Sequence, residues 1–202
     1  MAYAAEFSPP DLPSDAGTLR QQLEGVLFSR GQVGPEHIST TRLILAYVLV
    51  TDKAVREFRY GCTRMQDQVQ RGGIDALAES LGAFENCVNA TKRSLRLLER
   101  IASQRGAMTI DRTTRRLAQS SGTSLTDVRD CIEHVDADIV SDEGLQPGEA
   151  HMLMITKAGD ALEIGPNRLA FSALGSTLRG LHAAGQSFLQ AISEQPIATP
   201  GN

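Results

Sequence analysis

The sequence predicts an all-α protein, an up-down helical bundle with a small β-hairpin insertion near residues 151–165. Three observations carry this prediction. Apolar residues recur at steps of three and four through most of the chain. Gly- and Pro-containing breaks divide those runs into helix-sized pieces. One stretch, His151 to Gly165, instead shows two short apolar runs on either side of Ala158-Gly159-Asp160, the pattern of a two-stranded hairpin. At 202 residues, with 41% hydrophobic and 22% charged residues, the chain has enough apolar material for one core and too much for a disordered polymer.

In chain order, residues 1–14 carry Pro9, Pro10 and Pro13 and read as a flexible extended lead. A short helix follows from about Ala16 to Ser29, ended by the stretch from Gly31 to Pro35. Ser39 or Thr40 can cap a long helix whose apolar positions include Leu43, Ile44, Tyr47, Val48, Val55, Phe58, Cys62, Met65 and Val69, ending at Gly72-Gly73. From Asp75 the period resumes through Leu77, Leu81, Phe84, Val88, Leu95, Leu98 and Ile101, a second long helix able to pack antiparallel to the first. The polar segment from Ser103 to Thr123 reads as a loop containing one short helix through Arg112 to Gln119. Ser124 or Thr126 opens a helix through about Val140, and Asn167 opens a final helix containing Leu169, Leu174, Leu178, Leu181, Phe188, Leu189 and Ile192. Residues 15–194 therefore read as a single domain and residues 195–202 as a flexible tail; neither end is expected to carry function.

Composition removes several function classes. Aromatic residues are 4% with no Trp, which disfavours RNA-recognition platforms built on stacked rings. Cys62, Cys87 and Cys131 are too far apart for a zinc site or a disulfide framework, and Cys62 and Cys87 read as small core residues. No apolar run is long enough to cross a bilayer and the first residues lack a basic leader, so a cytoplasmic protein with no membrane partner is expected. No P-loop, dinucleotide fingerprint or nucleophile elbow is present, and no cofactor is expected.

The net charge of −4 hides a segregation. Residues 92–116 carry Lys92, Arg93, Arg96, Arg100, Arg105, Arg112, Arg115 and Arg116 against Glu99 and Asp111, a local charge of +6. Residues 127–143 carry seven acids against Arg129, a local −6. The first segment suits an anionic partner, and the second repels one. The alternative is that the two are ordinary solvated faces that neutralise each other.

The chemistry concentrates in Leu125 to Ile139, LTDVRDCIEHVDADI. Leu125, Val128, Ile132, Val135 and Ile139 make a three-four stripe that faces inward. At about 100° per residue, His134 leaves the helix roughly 130° from the centre of that stripe and must face solvent or a partner. Asp130 lies four residues earlier on the same side, within reach of an imidazole N–H. The bland reading of this face is a solvated surface with an Arg129 to Glu133 ion pair. Cys131 and His134 have no further His or Cys near them in sequence, and His151 and His182 fall on other elements, so no metal site is expected.

Arg129-Asp130-Cys131-Ile132-Glu133-His134 resembles the signature of the HEPN superfamily (higher eukaryotes and prokaryotes nucleotide-binding domains): Arg, commonly followed by a polar residue, four intervening positions in all, then His, on a helix that follows two long antiparallel helices. In sequence the likeness is specific only around residues 128–139; in architecture it covers most of residues 39–194. It implies a metal-independent endoribonuclease acting as a homodimer on RNA, by attack of the ribose 2′-OH on the adjacent phosphate. By this resemblance, His134 is the general acid or base, Arg129 holds the phosphate as charge builds, and Asp130, where the family often has Asn, orients His134. The acidic helix then needs a basic cover. Arg112, Arg115 and Arg116 are the expected RNA contacts, with Arg96 and Arg100 behind them. The resemblance further implies the toxin of a toxin–antitoxin or phage-defence system, with a cognate antitoxin or other regulatory protein as partner. The competing readings are a non-catalytic HEPN-like module that binds a nucleotide or a protein, and a purely structural adaptor.

Overall fold

The computed structural model describes residues 6–30, 38–104, 110–141 and 152–194. Among them are six helices and one small antiparallel sheet, in the order α1 (Leu19–Arg30), α2 (Ile38–Arg71), α3 (Ile74–Ala102), α4 (Arg112–Ala118), α5 (Ser124–Ser141), β1 (Met154–Ile155), β2 (Ala161–Ile164), β3 (Asn167–Ala170) and α6 (Phe171–Glu194). The protein is thus predominantly helical, as the three-four period requires.

The long helices α2 and α3 form the frame. Their cross-links run in opposite directions along the two chains: Thr51 bonds Ser94 at 3.2 Å, Tyr60 donates to Glu79 at 2.8 Å, and Ser80 donates to the Gly61 carbonyl at 2.9 Å. That order makes the pair antiparallel across the two-residue break at Gly72-Gly73. Both glycines there have positive φ, 73° and 108°, a backbone that other residues rarely adopt. The α1 helix is held to the frame by a buried acid, since Asp52 accepts from the backbone amides of Leu19 (3.2 Å) and Arg20 (2.7 Å), satisfying donors that a helix start leaves free.

Two apolar clusters fill the interior. One joins the middle of α2 and α3 to α5, the sheet and the start of α6, centred on Phe58, Phe84 and Phe171. The other joins α1, the start of α2, the end of α3, α4 and the second half of α6, centred on Tyr47, Leu181 and Phe188. Tyr47 donates its hydroxyl to the Leu181 carbonyl at 2.5 Å, so the one polar atom of that buried ring is paired.

Two expectations need correction. The hairpin is a three-stranded meander, with β2 central between β1 and β3, and α6 begins at Phe171 instead of Asn167. Residues Asn167–Ala170 alternate across β2, Leu162 opposite Leu169 and Glu163 opposite Arg168, so Leu169 is buried from a strand and not from a helix. Its apolar side chain fits either period, and the long-range pairing decides. His151, at the start of the expected hairpin, lies outside the described residues. The lead, in turn, is extended where described but is held against the bundle. Phe7 stacks edge-on against Phe171 with centroids 5.3 Å apart, Arg179 donates to the Asp11 carbonyl at 2.7 Å, and Arg59 donates to the Pro13 and Ala16 carbonyls at 2.7 and 2.8 Å. An apolar ring and backbone carbonyls, not periodicity, anchor it. The expected tail at 195–202 lies outside the described residues. No helix among the described residues is long and apolar enough to cross a membrane.

Candidate functional site

The basic residues of the α4 region are brought together by the way this short helix is seated. Asp111 caps it, accepting from the amides of Thr113 and Thr114 at 2.8 and 2.9 Å. Bonds from Thr114 and the neighbouring amides hold the Asp111 carboxyl below its ordinary value. Thr114 and Ala118, four apart, are buried against α6, where Gly180 lets the two backbones touch. This seating turns the other side of α4 outward. Arg112, Arg115, Arg116 and Gln119, at steps of three and four, are exposed and line one open basin of about 850 Å³ together with Ile110 and Ser120. The three arginines expected as RNA contacts therefore share a single concavity. Arg105 lies outside the described residues.

A second, more enclosed pocket of about 340 Å³ adjoins the basin and shares Arg115 and Gln119 with it. Its walls come from α3, the turn at residues 121–123 and the first turn of α5, and include Lys92, Arg96 and Thr126. The turn is fixed to α6 from within: Ser121 donates its amide to the Thr177 hydroxyl at 3.0 Å, and Thr177 donates to the Ser121 hydroxyl, also at 3.0 Å. The α5 helix is fixed to α3 by Lys92, which donates to the Thr126 hydroxyl at 2.6 Å. The sequence marks Lys92 only as part of the basic segment and Thr126 only as a candidate helix start, and neither as a site residue. Charge is the signal for Lys92, and nothing in the spacing pairs it with Thr126, 34 residues on. Arg96, expected behind the main contacts, lines this pocket, whereas Arg100 is an exposed residue at the end of α3.

Farther along α5, Leu125 and Val128 are buried, and Ile132 and Val135 pack half-buried against the same core. The Ile139 side chain lies outside the described residues. His134 is exposed. Arg129 is mostly covered, with 22% of its side chain accessible, and is engaged by two carboxylates: Asp130 at 3.0 Å and Glu133 one turn on. The Asp130 carboxylate is thus drawn to Arg129, where the resemblance implied an orienting role toward His134. A guanidinium presents several donors to the carboxylates that flank it, and here Asp130 and Glu133 take two of them.

This arrangement can bind anions at the basin and the pocket, and it places an imidazole in solvent two turns beyond the pocket on the same helix. The two carboxylates on Arg129 are about half-exposed, so water screens the pairs and a phosphate, which also accepts from a guanidinium, can replace one of them. Among the described residues no group of three or more His, Cys, Asp and Glu side chains is arranged to hold a metal ion. No protein-family model, no curated protein and no solved structure matches the chain.

Proposed function

We propose that the protein binds RNA through the arginine basin of α4 and cleaves it without a metal, by HEPN-type chemistry at His134. The observation that carries this reading is the convergence of Arg112, Arg115 and Arg116 on one open concavity, joined through Arg115 to a cationic pocket at the start of the helix that bears His134. Basic side chains along a groove track a phosphate backbone and add affinity through counterion release. The exposed imidazole supplies the proton transfer that 2′-OH attack requires.

Two chains complete the site in this reading. Arg129 and His134 leave α5 about 140° apart and about 7.5 Å apart along its axis. Helix geometry alone therefore does not aim both at one phosphate. Two α5 helices meeting across a two-fold axis can set the arginine of one beside the histidine of the other, with the second His134 performing the opposite proton transfer.

The test is cleavage of a mixed-sequence RNA in excess chelator by purified protein, with a 2′,3′-cyclic phosphate expected at the new 3′ end. His134→Ala and Arg129→Ala should each abolish it while the helical signal and melting transition persist. Cleavage that survives His134→Ala or vanishes with chelator overturns the mechanism.

The salt-bridged state of Arg129 favours a second reading, an RNA-binding module that does not cut: a guanidinium already neutralised by Asp130 and Glu133 is a packing element. Binding of RNA without cleavage by any oligomer of the intact chain is the result that selects it.

A further inference from the structure

The enclosed pocket beside α5 differs from the basin in a way that bears on which part of an RNA it takes. A basin open on one side accommodates a continuous strand, whose phosphates are monoanionic diesters. The pocket is less than half the size, and Lys92, Arg96 and Arg115 line it against a single acid, Glu99, leaving a net two positive charges. A terminal phosphomonoester carries a charge of about −1.5 to −2 at neutral pH, which matches that surplus better than a diester does. Donors are already in place. Thr126 accepts from Lys92, so its own hydroxyl hydrogen is left to donate, and the Lys92 ammonium retains two further N–H groups. The positive end of the α5 dipole adds to these side chains. Beside the cations, Leu95 and the buried Leu98 give the pocket an apolar wall, suited to a sugar or base edge next to the phosphate.

We propose that this pocket captures the terminal phosphomonoester of an RNA strand, with the adjoining nucleoside against Leu95 and Leu98 and the rest of the strand leaving past Arg115 into the basin. The proposal rests on the RNA reading above and specifies which part of the RNA is anchored, and where. Arg115, shared by both concavities, is the hinge point of the path: it contacts the terminal group on one side and the chain on the other.

The experiment compares the affinities of three short 2′-O-methyl RNAs, which lack the attacking hydroxyl: one 5′-phosphorylated, one 3′-phosphorylated and one with neither phosphate. Adenosine 5′-monophosphate and adenosine 3′-monophosphate, one for each end, are the separate small probes. The full chain should bind one of the phosphorylated strands about tenfold or more tightly than the unphosphorylated one, because new hydrogen bonds between charged partners form in the pocket. Which strand gains identifies the end recognised. In Arg96→Gln, whose side chain is exposed and whose thermal melt serves as the folding control, that ratio should fall to about one. Equal binding of all three RNAs by the unaltered chain, or a ratio that persists in Arg96→Gln, overturns the pocket while leaving the RNA reading standing. If no RNA binds, the RNA reading fails and the two mononucleotides decide. Binding that Arg96→Gln weakens upholds the phosphomonoester pocket, and no binding overturns it as well.

Discussion

Gly180 of α6 and Ala118 of α4 meet backbone to backbone: a methyl group on Gly180 would overlap the Ala118 amide and lie 2.6 Å from the Leu117 carbonyl carbon. Rigid backbone occupies that space and no flexible side chain can yield. Gly180→Ala should therefore push α4 off α6, costing about 1–3 kcal/mol as overpacking of a close contact. Because α4 carries Arg112, Arg115 and Arg116, the same change should weaken RNA binding although no basic residue is altered. A lowered urea midpoint together with weaker binding is expected; unchanged values for both would show that the close approach does not position the basin.

The helices were legible because each buries one face, and a buried face leaves a three-four trace whatever its partners are. Leu125, Val128, Ile132 and Val135 gave away α5, and with it the outward direction of His134. The arginines of α4 stood out by charge alone; their common outward side follows from the burial of Thr114 and Ala118, which no apolar period announces. What long-range partners decide was not legible. Asn167–Ala170 is a strand because β2 pairs with it, and Phe7 belongs to the core because Phe84 and Phe171 sit beside it. The second pocket brings Lys92 and Arg96 of α3 up to Arg115 of α4, and no spacing rule links residues so placed. On α5 the spacing placed Asp130 within reach of His134 and Arg129 beside Glu133, and the pairing of Asp130 with its neighbour Arg129 had no signal in the spacing.

Thiol reactivity should separate the three cysteines. Burial pushes the Cys62 and Cys87 thiols up to about 12, leaving almost no thiolate at pH 8. Cys131 is half-exposed, with Asn167 donating to its sulfur at 2.9 Å. A chromogenic disulfide reagent at pH 8 should label one thiol quickly in the folded chain and all three in denaturant, and Cys131→Ser should remove the fast one. Rapid labelling of all three without denaturant would contradict the burial of α2 against α3.

Acid should loosen the turn that joins the lead to α1. His182 Nε2 lies 3.4 Å from Asp15 Oδ2, and Gln186 donates to the same oxygen at 2.8 Å. The bond with His182 is the main cause that holds the Asp15 carboxyl below its ordinary value of 3.8. A lowered folded-state value means that the stabilisation is fully present above 3.8 and is lost as pH falls through the lower value. Asp15→Asn should thus lower the urea midpoint at pH 7, and the two proteins should converge as pH drops well under 3.8. A constant difference across that range would mean that the ionised carboxylate contributes nothing.

The basin makes a prediction that depends on charge alone. For a single strand, each phosphate contact contributes about 0.7 to the slope of log affinity against log salt. If Arg112, Arg115 and Arg116 each neutralise one phosphate, replacing all three with Ala should reduce that slope by about 2 and weaken binding most at low salt. Folding should survive, because all three side chains are exposed and the buried side of α4 is untouched. Replacing Arg100, exposed at the end of α3 and outside both linings, is the matched control and should change the slope by less than one contact's worth. Equal losses from Arg100→Ala and from each basin arginine would mean that RNA senses only the diffuse positive charge of residues 92–116, and that the concavity has no part in binding.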